Sequence, residues 1–272
     1  MRKVSAIMVV LFIAALWTAH PARGQNAPAP TPAKRPQDVP IAIPVPSPGS
    51  GPPPPQQGAP PPGRLPGAIS PLEQGKSPPI KLIAPGVFEI GGVQITKKEN
   101  KVTFPCKVNM SRGLLEYVIV GRMGKLHESL LMAEVEPFPL QVALLLMGLE
   151  GSMHPLAHQG DPGTPEGDPV EIWVQWDDGG QTRKARIEDW VAVAPDLKPM
   201  QNTNWIFTGS YTMAGGAFMA QTEKSIVAIY HDPAALFDNP SPEGASDKVW
   251  FVNEAKVPPV GTPVTVIVNK AE

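Results

Sequence analysis

Val170-Glu171-Ile172-Trp173-Val174-Gln175-Trp176-Asp177-Asp178-Gly179-Gly180 reads as one strand and the turn that ends it. Val170, Ile172, Val174 and Trp176 share one side; Glu171, Trp173 and Gln175 share the other. A period of two is the signature of a strand buried on one face. The paired glycines adopt positive φ without steric cost, so the chain turns back into Thr182 to Ile187 as a hairpin. Working outward, Val87 to Thr96, Lys101 to Val108, Leu114 to Val120, Trp205 to Thr208, Ser225 to Tyr230, Lys248 to Val252 and Val264 to Val268 have the same strand-like character. Gly121-Arg122-Met123-Gly124 reads as a turn, with Lys125 to Val135 returning antiparallel to Leu114 to Val120.

Two helices interrupt this pattern. Pro137-Phe138-Pro139 precedes Leu140 to Met147, and Gly148 follows. Proline at the first turn and glycine beyond the last are helix punctuation. The segment is apolar all round, so it is expected to be buried. Pro233 to Phe237 is expected to be a short helix ended by Asn239-Pro240. The expected fold is therefore α+β: a mostly antiparallel sheet with one prominent buried helix.

The domain follows two segments of another kind. Arg2 and Lys3 precede an uncharged, largely apolar run from Val4 to Ala19, and Ala22-Arg23-Gly24 offers a small-residue cut. Residues 1–24 have the order of a secretory signal; left uncut, they would be the chain's contact with a membrane. Gln25 to Ile80 holds 19 prolines in 56 residues. Proline removes amide donors and fixes φ, so residues 25–80 read as a disordered proline-rich tether. Residues 81–272 are the globular domain. They carry 16 Lys and Arg against 23 Asp and Glu, a net charge of −7. Such a domain lacks the basic footprint of a nucleic-acid binder.

The best candidate for chemistry is Gly124-Lys125-Leu126-His127-Glu128-Ser129 with Glu116. In an antiparallel hairpin Lys125, His127 and Ser129 share one face, and Glu116 lies opposite Ser129 and diagonal to His127. That would gather a carboxylate, an imidazole, a hydroxyl and an ammonium, the parts of an activated nucleophile. A polar network that only holds the hairpin uses the same residues. His154 and His158 have helical metal spacing, but Pro155 and Gly160-Asp161-Pro162-Gly163 deny them a helix, so no metal site is read. Trp173, with Trp190 or Tyr211, could form an aromatic platform for sugar or peptide; packing against a second layer is the plainer reading. Cys106 stands alone, which excludes an internal disulfide, and its strand-like setting favours burial. There is no Cys-x-x-Cys and no phosphate-cradling glycine loop, so no cofactor is expected.

Several segments together resemble the YdjY-domain proteins of bacteria, in their secreted, proline-tethered form. They are Gly113-Leu114-Leu115-Glu116-Tyr117, Gly124 to Leu131, Leu144 to Gly148, Trp205 to Ser210, Ala228 to Pro233 and Pro258 to Pro263. The resemblance spans about residues 85–268. It implies no activity, substrate or catalytic residue. Cys106 stands where similar proteins often have another small residue, which weighs against a catalytic thiol. The function expected is a non-catalytic envelope or secreted module on a flexible tether, binding a protein or glycan. An extracytoplasmic hydrolase or metal-dependent enzyme using Glu116, His127 and Ser129 is the alternative.

Overall fold

The computed structural model describes residues 78–271. The signal segment and nearly all of the proline-rich stretch lie outside these residues. The strands are β1 (Lys81–Ala84), β2 (Val87–Ile90), β3 (Val93–Thr96), β4 (Lys101–Val108), β5 (Tyr117–Gly121), β6 (Ser129–Ala133), β7 (Asp168–Asp178), β8 (Gln181–Arg186), β9 (Val191–Val193), β10 (Lys198–Pro199), β11 (Trp205–Phe207), β12 (Ser225–Ala228), β13 (Phe237–Asp238), β14 (Trp250–Val252) and β15 (Pro263–Lys270). The helices are α1 (Pro137–Leu146) and α2 (Met219–Glu223).

Eight strands close into a barrel in the order β4-β15-β7-β11-β13-β12-β5-β6, with β6 pairing back onto β4. This overturns the α+β expectation. The fold is mostly β, because among the described residues α1 alone has the length of an ordinary helix and the sheet curls until it has no free edge there. β4 makes closure possible. One of its edges pairs with β15 along Lys101 to Lys107. Its other edge pairs first with β3, through Thr103, and then with β6, from Cys106. Pro105 stands between the two partners. β1 and β2 extend the sheet beyond β3, and β8 hangs on β7. A second, three-stranded sheet runs β10-β9-β14. Among the described residues no helix is long and apolar enough to cross a membrane.

The core follows from strand periodicity. Val102, Phe104, Cys106 and Val108 on β4 are buried, as are Val170, Ile172 and Val174 on β7 and Val264, Val266 and Val268 on β15. Each fully buried side chain of this size contributes about 1.5–3 kcal/mol. The β7–β8 hairpin forms as expected, Asp178 facing Gln181 across Gly179 (φ +63°) and Gly180 (φ +86°).

Other local expectations are corrected. Val87 to Thr96 is two strands, because Gly91 (φ +56°) and Gly92 (φ +87°) make a second tight turn. α1 is not buried all round: Leu140, Ala143 and Leu144 face the core, while Leu145 and Leu146 are 51% and 39% exposed. Pro233 to Phe237 is not helical. Asp232 Oδ1 accepts from Ala234 N, and Phe237 instead joins a strand beside Val227 and Phe207. The largest correction concerns β5 and β6, which run parallel, Tyr117 level with Ser129 and Gly121 with Ala133. The chain turns at Gly121–Gly124, runs back, and forms a 3₁₀ turn at Leu126–Glu128 before β6 begins. Asn109 Nδ2 fixes that return, donating to Leu126 O and Ser129 O, each at 2.6 Å.

Candidate functional site

The parallel β5–β6 pair rearranges the first candidate patch. Ser129 is fully buried, and its Oγ donates to Lys125 O at 2.6 Å. His127 lies in the 3₁₀ turn with its side chain 79% exposed, Nε2 3.3 Å from Glu128 Oε2. The imidazole and the hydroxyl therefore face opposite ways, since the turn carries one outward and β6 carries the other inward. Glu116 and Lys125 do join one network, through residues the sequence did not single out. Gln159 Nε2 donates to Glu116 Oε2 at 3.1 Å and to Tyr117 Oη at 3.3 Å. Lys125 Nζ donates to Tyr117 Oη at 2.9 Å, and Tyr117 Oη donates to Asp232 Oδ2 at 2.7 Å.

Burial, and then the Asp232 carboxylate, raise the Tyr117 phenol far above its usual range, so it stays protonated. Burial also raises Glu116; Glu128 adds to this and Lys125 opposes it. This network ties the 151–167 loop and the segment after β12 to the barrel. Lys125, Gln159, Tyr117 and Asp232 each already have a hydrogen-bond partner within this network, which is the condition of a structural tie.

The other predicted residues are dispersed. Trp190 is 1% exposed and packs edge-on to Trp176, with centroids 5.1 Å apart. Trp173 is half-buried; its Nε1 donates to Glu171, and Lys184 Nζ and Arg186 Cζ lie 4.5 and 5.3 Å from its ring centroid. Tyr211 is half-buried in the loop after β11. Among the described residues no ring contact joins Trp173 to Trp190 or to Tyr211. His154 pairs with Glu166 at 3.3 Å, and His158 Nδ1 lies 2.9 Å from Gln159 O. Among the described residues no group of three His, Cys, Asp or Glu side chains is placed to hold a metal. Cys106 is buried, and that burial, with Glu134 nearby, pushes its thiol well above the usual value. Such a thiol is a poor nucleophile.

A cleft of about 470 Å³ opens beside the small sheet. Val193, Pro199, Met200 and Trp250 form its apolar wall. Gln201, Asn202, Thr203, Ser241 and Glu243 supply polar groups around it, with Lys198 at the rim. Its shape depends on an ion pair. Glu188 is fully buried at the end of the β7–β8 hairpin. Arg186 Nε and Nη2 grip both of its oxygens, at 3.2 and 2.8 Å. Glu188 Oε1 also accepts from Thr203 N at 3.1 Å and from Trp205 Nε1 at 3.2 Å. Arg186 Nη2 also donates to Thr203 O. Thr203 is thus held on both sides, and the loop before it forms the polar wall. The opposite wall is set by Trp250 Nε1, which donates to Glu243 O at 3.2 Å. The Ser241 hydroxyl donates to the Glu243 carboxylate and holds it below the usual carboxylate range, against a smaller effect of burial.

The cleft and the Tyr117 network both lie within residues 93–269, the span that matches the YdjY domain family. The chain belongs to the YdjY family. The matched span runs from β3 into the end of β15, so it contains every strand of the barrel. Neither the curated proteins nor the solved structures give a match. The site residues of this YdjY domain therefore rest on its own geometry. Sequence reasoning missed the cleft because its walls come from β9, β10, the loop after it and the turn before β14. The one local signal was the pair Arg186 and Glu188 flanking apolar Ile187 at a strand end.

Proposed function

We propose that this YdjY protein is an exported, non-catalytic binding module, carried on its proline-rich segment and engaging an envelope or extracellular partner through the cleft beside β9 and β10. The observation that carries the reading is the state of Gln201 and Asn202. Neither makes a hydrogen bond to any other described residue, while the loop that bears them is fixed through Thr203 by a buried ion pair. A fixed wall presenting exposed amides that have no partner in the protein, beside an apolar patch, is what a binding site requires. The dispersal of Glu116, His127 and Ser129 supports binding over hydrolysis, since a nucleophile needs its base within hydrogen-bond reach. The acidic charge of the domain speaks against a nucleic-acid partner.

The test has two parts in one strain. The full chain, carrying a photo-cross-linking amino acid at Asn202, is expressed in a bacterial host with a periplasm. The protein is expected in the extracytoplasmic fractions, beginning at Gln25, with adducts to envelope components. Retention in the cytoplasm with residues 1–24 intact would refute export. Absence of any adduct at Asn202, with adducts formed from a control position on β8, would refute the cleft as the binding surface.

A further inference from the structure

We propose that the ligand of the cleft is a neutral saccharide, an inference that rests on the cleft being a binding site. Charge is the first argument. Lys198 Nζ already pairs with Asp196 at 2.8 Å, and the Glu243 carboxylate already accepts the Ser241 hydroxyl. A phosphate or carboxylate ligand would have to compete with Asp196 for Lys198 and would be repelled by the Glu243 carboxylate, which keeps its negative charge. A ligand without charge leaves both intact.

The second argument concerns peptides. An extended peptide would dock most readily as an added strand on the free edge of the small sheet. That edge is β10, which consists of Lys198 and Pro199. Pro199 has no N–H to offer, and lysine and proline on an edge strand oppose strand addition.

The third argument is the match of donors and acceptors. The free carboxamides of Gln201 and Asn202 each present two N–H donors beside a carbonyl acceptor. Vicinal sugar hydroxyls, each both donor and acceptor, pair with that arrangement. The C–H face of a pyranose ring then lies against Val193 and Pro199, with Met200 and Trp250 buried behind them. The volume of about 470 Å³ falls inside the range of small-ligand sites, roughly 300–1,000 Å³.

The experiment uses the exported full chain, isotopically labelled, and three probe sets. These are neutral trisaccharides of glucose and of N-acetylglucosamine, an acidic trigalacturonate, and a neutral extended octapeptide. Amide shifts and tryptophan fluorescence are followed together. At least one neutral trisaccharide is expected to shift amides in residues 198–203 and 241–243 in a saturable way. The double variant Gln201→Ala/Asn202→Ala, whose positions are exposed and outside the core, is expected to weaken that binding at least tenfold with an unchanged melting temperature. Stronger binding by trigalacturonate or by the octapeptide would overturn the proposal. So would saturable sugar binding whose shifts lie elsewhere, or that the double variant leaves intact. If no saccharide binds but Asn202 still cross-links an envelope protein, the saccharide inference falls and the binding module stands. If both fail, both fall.

Discussion

Arg186 and Glu188 make the central contact of the cleft wall, and their chemistry allows a sharp test. A buried ion pair contributes little net stability over a well-packed apolar replacement, but removing one partner strands a charge. Arg186→Met should therefore cost about 3–5 kcal/mol, read as a lower urea midpoint at unchanged slope. The double variant Arg186→Met/Glu188→Leu should recover only part of that loss, because Thr203 N and the buried Trp205 Nε1 lose their acceptor with Glu188. Saccharide binding should weaken in Arg186→Met, where Thr203 O loses its donor, and further in the double variant, where Thr203 N loses its acceptor as well. Full recovery of binding in the double variant would show that the loop holds itself. Asp238 makes a different prediction. It is fully buried, its oxygens accepting from Asp232 N and Asn239 N at 3.1 and 2.7 Å. Burial raises its carboxyl well above the usual range, against those two hydrogen bonds. The folded protein thus holds this proton more tightly than the unfolded chain does. Its contribution is complete below the unfolded value, about 3.9, and is lost as pH rises through the higher folded value. Asp238→Asn cannot ionise. The wild-type protein should lose stability relative to this variant as pH rises from about 4 to 8, by urea unfolding at each pH. A difference that stays constant with pH would refute the buried proton.

The elements show what periodicity reveals and what it hides. The β7–β8 hairpin was readable because one face alternates and two adjacent glycines mark the turn. Gly91-Gly92 carried the same signal, masked by the apolar residues on either side that make Val87 to Thr96 look continuous. The direction of β6 was not readable. Its apolar run fits a strand in either sense, and the deciding contact, Asn109 to Leu126 and Ser129, joins residues far apart in the chain. The predicted patch at Glu116, Lys125, His127 and Ser129 depended on that direction, so it dispersed when the pair proved parallel. Cleft residues carried still less signal, since Gln201 and Asn202 read as ordinary loop polar residues until Thr203 is seen to be pinned. For α1, proline and glycine punctuation located the ends, but composition overstated the burial. Leu144 is fully buried and Leu145 is 51% exposed. Leu144→Ala should cost about 2–5 kcal/mol, and Leu145→Ala should lie within about 0.5 kcal/mol of wild type. Equal losses in thermal or urea unfolding would mean that something covers the outer face of α1.

At the scale of the molecule, the question is whether the sheet behaves as a ring. Ring closure rests on the β4–β6 seam, where Cys106, Lys107 and Val108 face Ala133, Met132 and Leu131. It is the short join between two long ribbons. The alternative is an open sheet whose ends touch, and the two differ in how they open. An open sheet frays from its ends, so seam amides would exchange through local opening at a fraction of the global free energy. A closed barrel has no end at that point. Flanking contacts extend the seam on both sides, from Glu134 N to Pro105 O at 2.9 Å and from Asn109 N to Leu130 O at 2.9 Å. Leu131 and Ala133 of β6 are fully buried there, and Val108 is 1% exposed. Opening the seam would expose these side chains together, at a cost comparable to disrupting the core. Native-state hydrogen exchange should therefore give the amides of residues 106–108 and 131–133 the same opening free energy as those of β15, and the same slope with denaturant. Exchange of the seam through an opening that exposes little surface, while β15 stays protected, would show that the eight strands form a curled sheet and not a barrel.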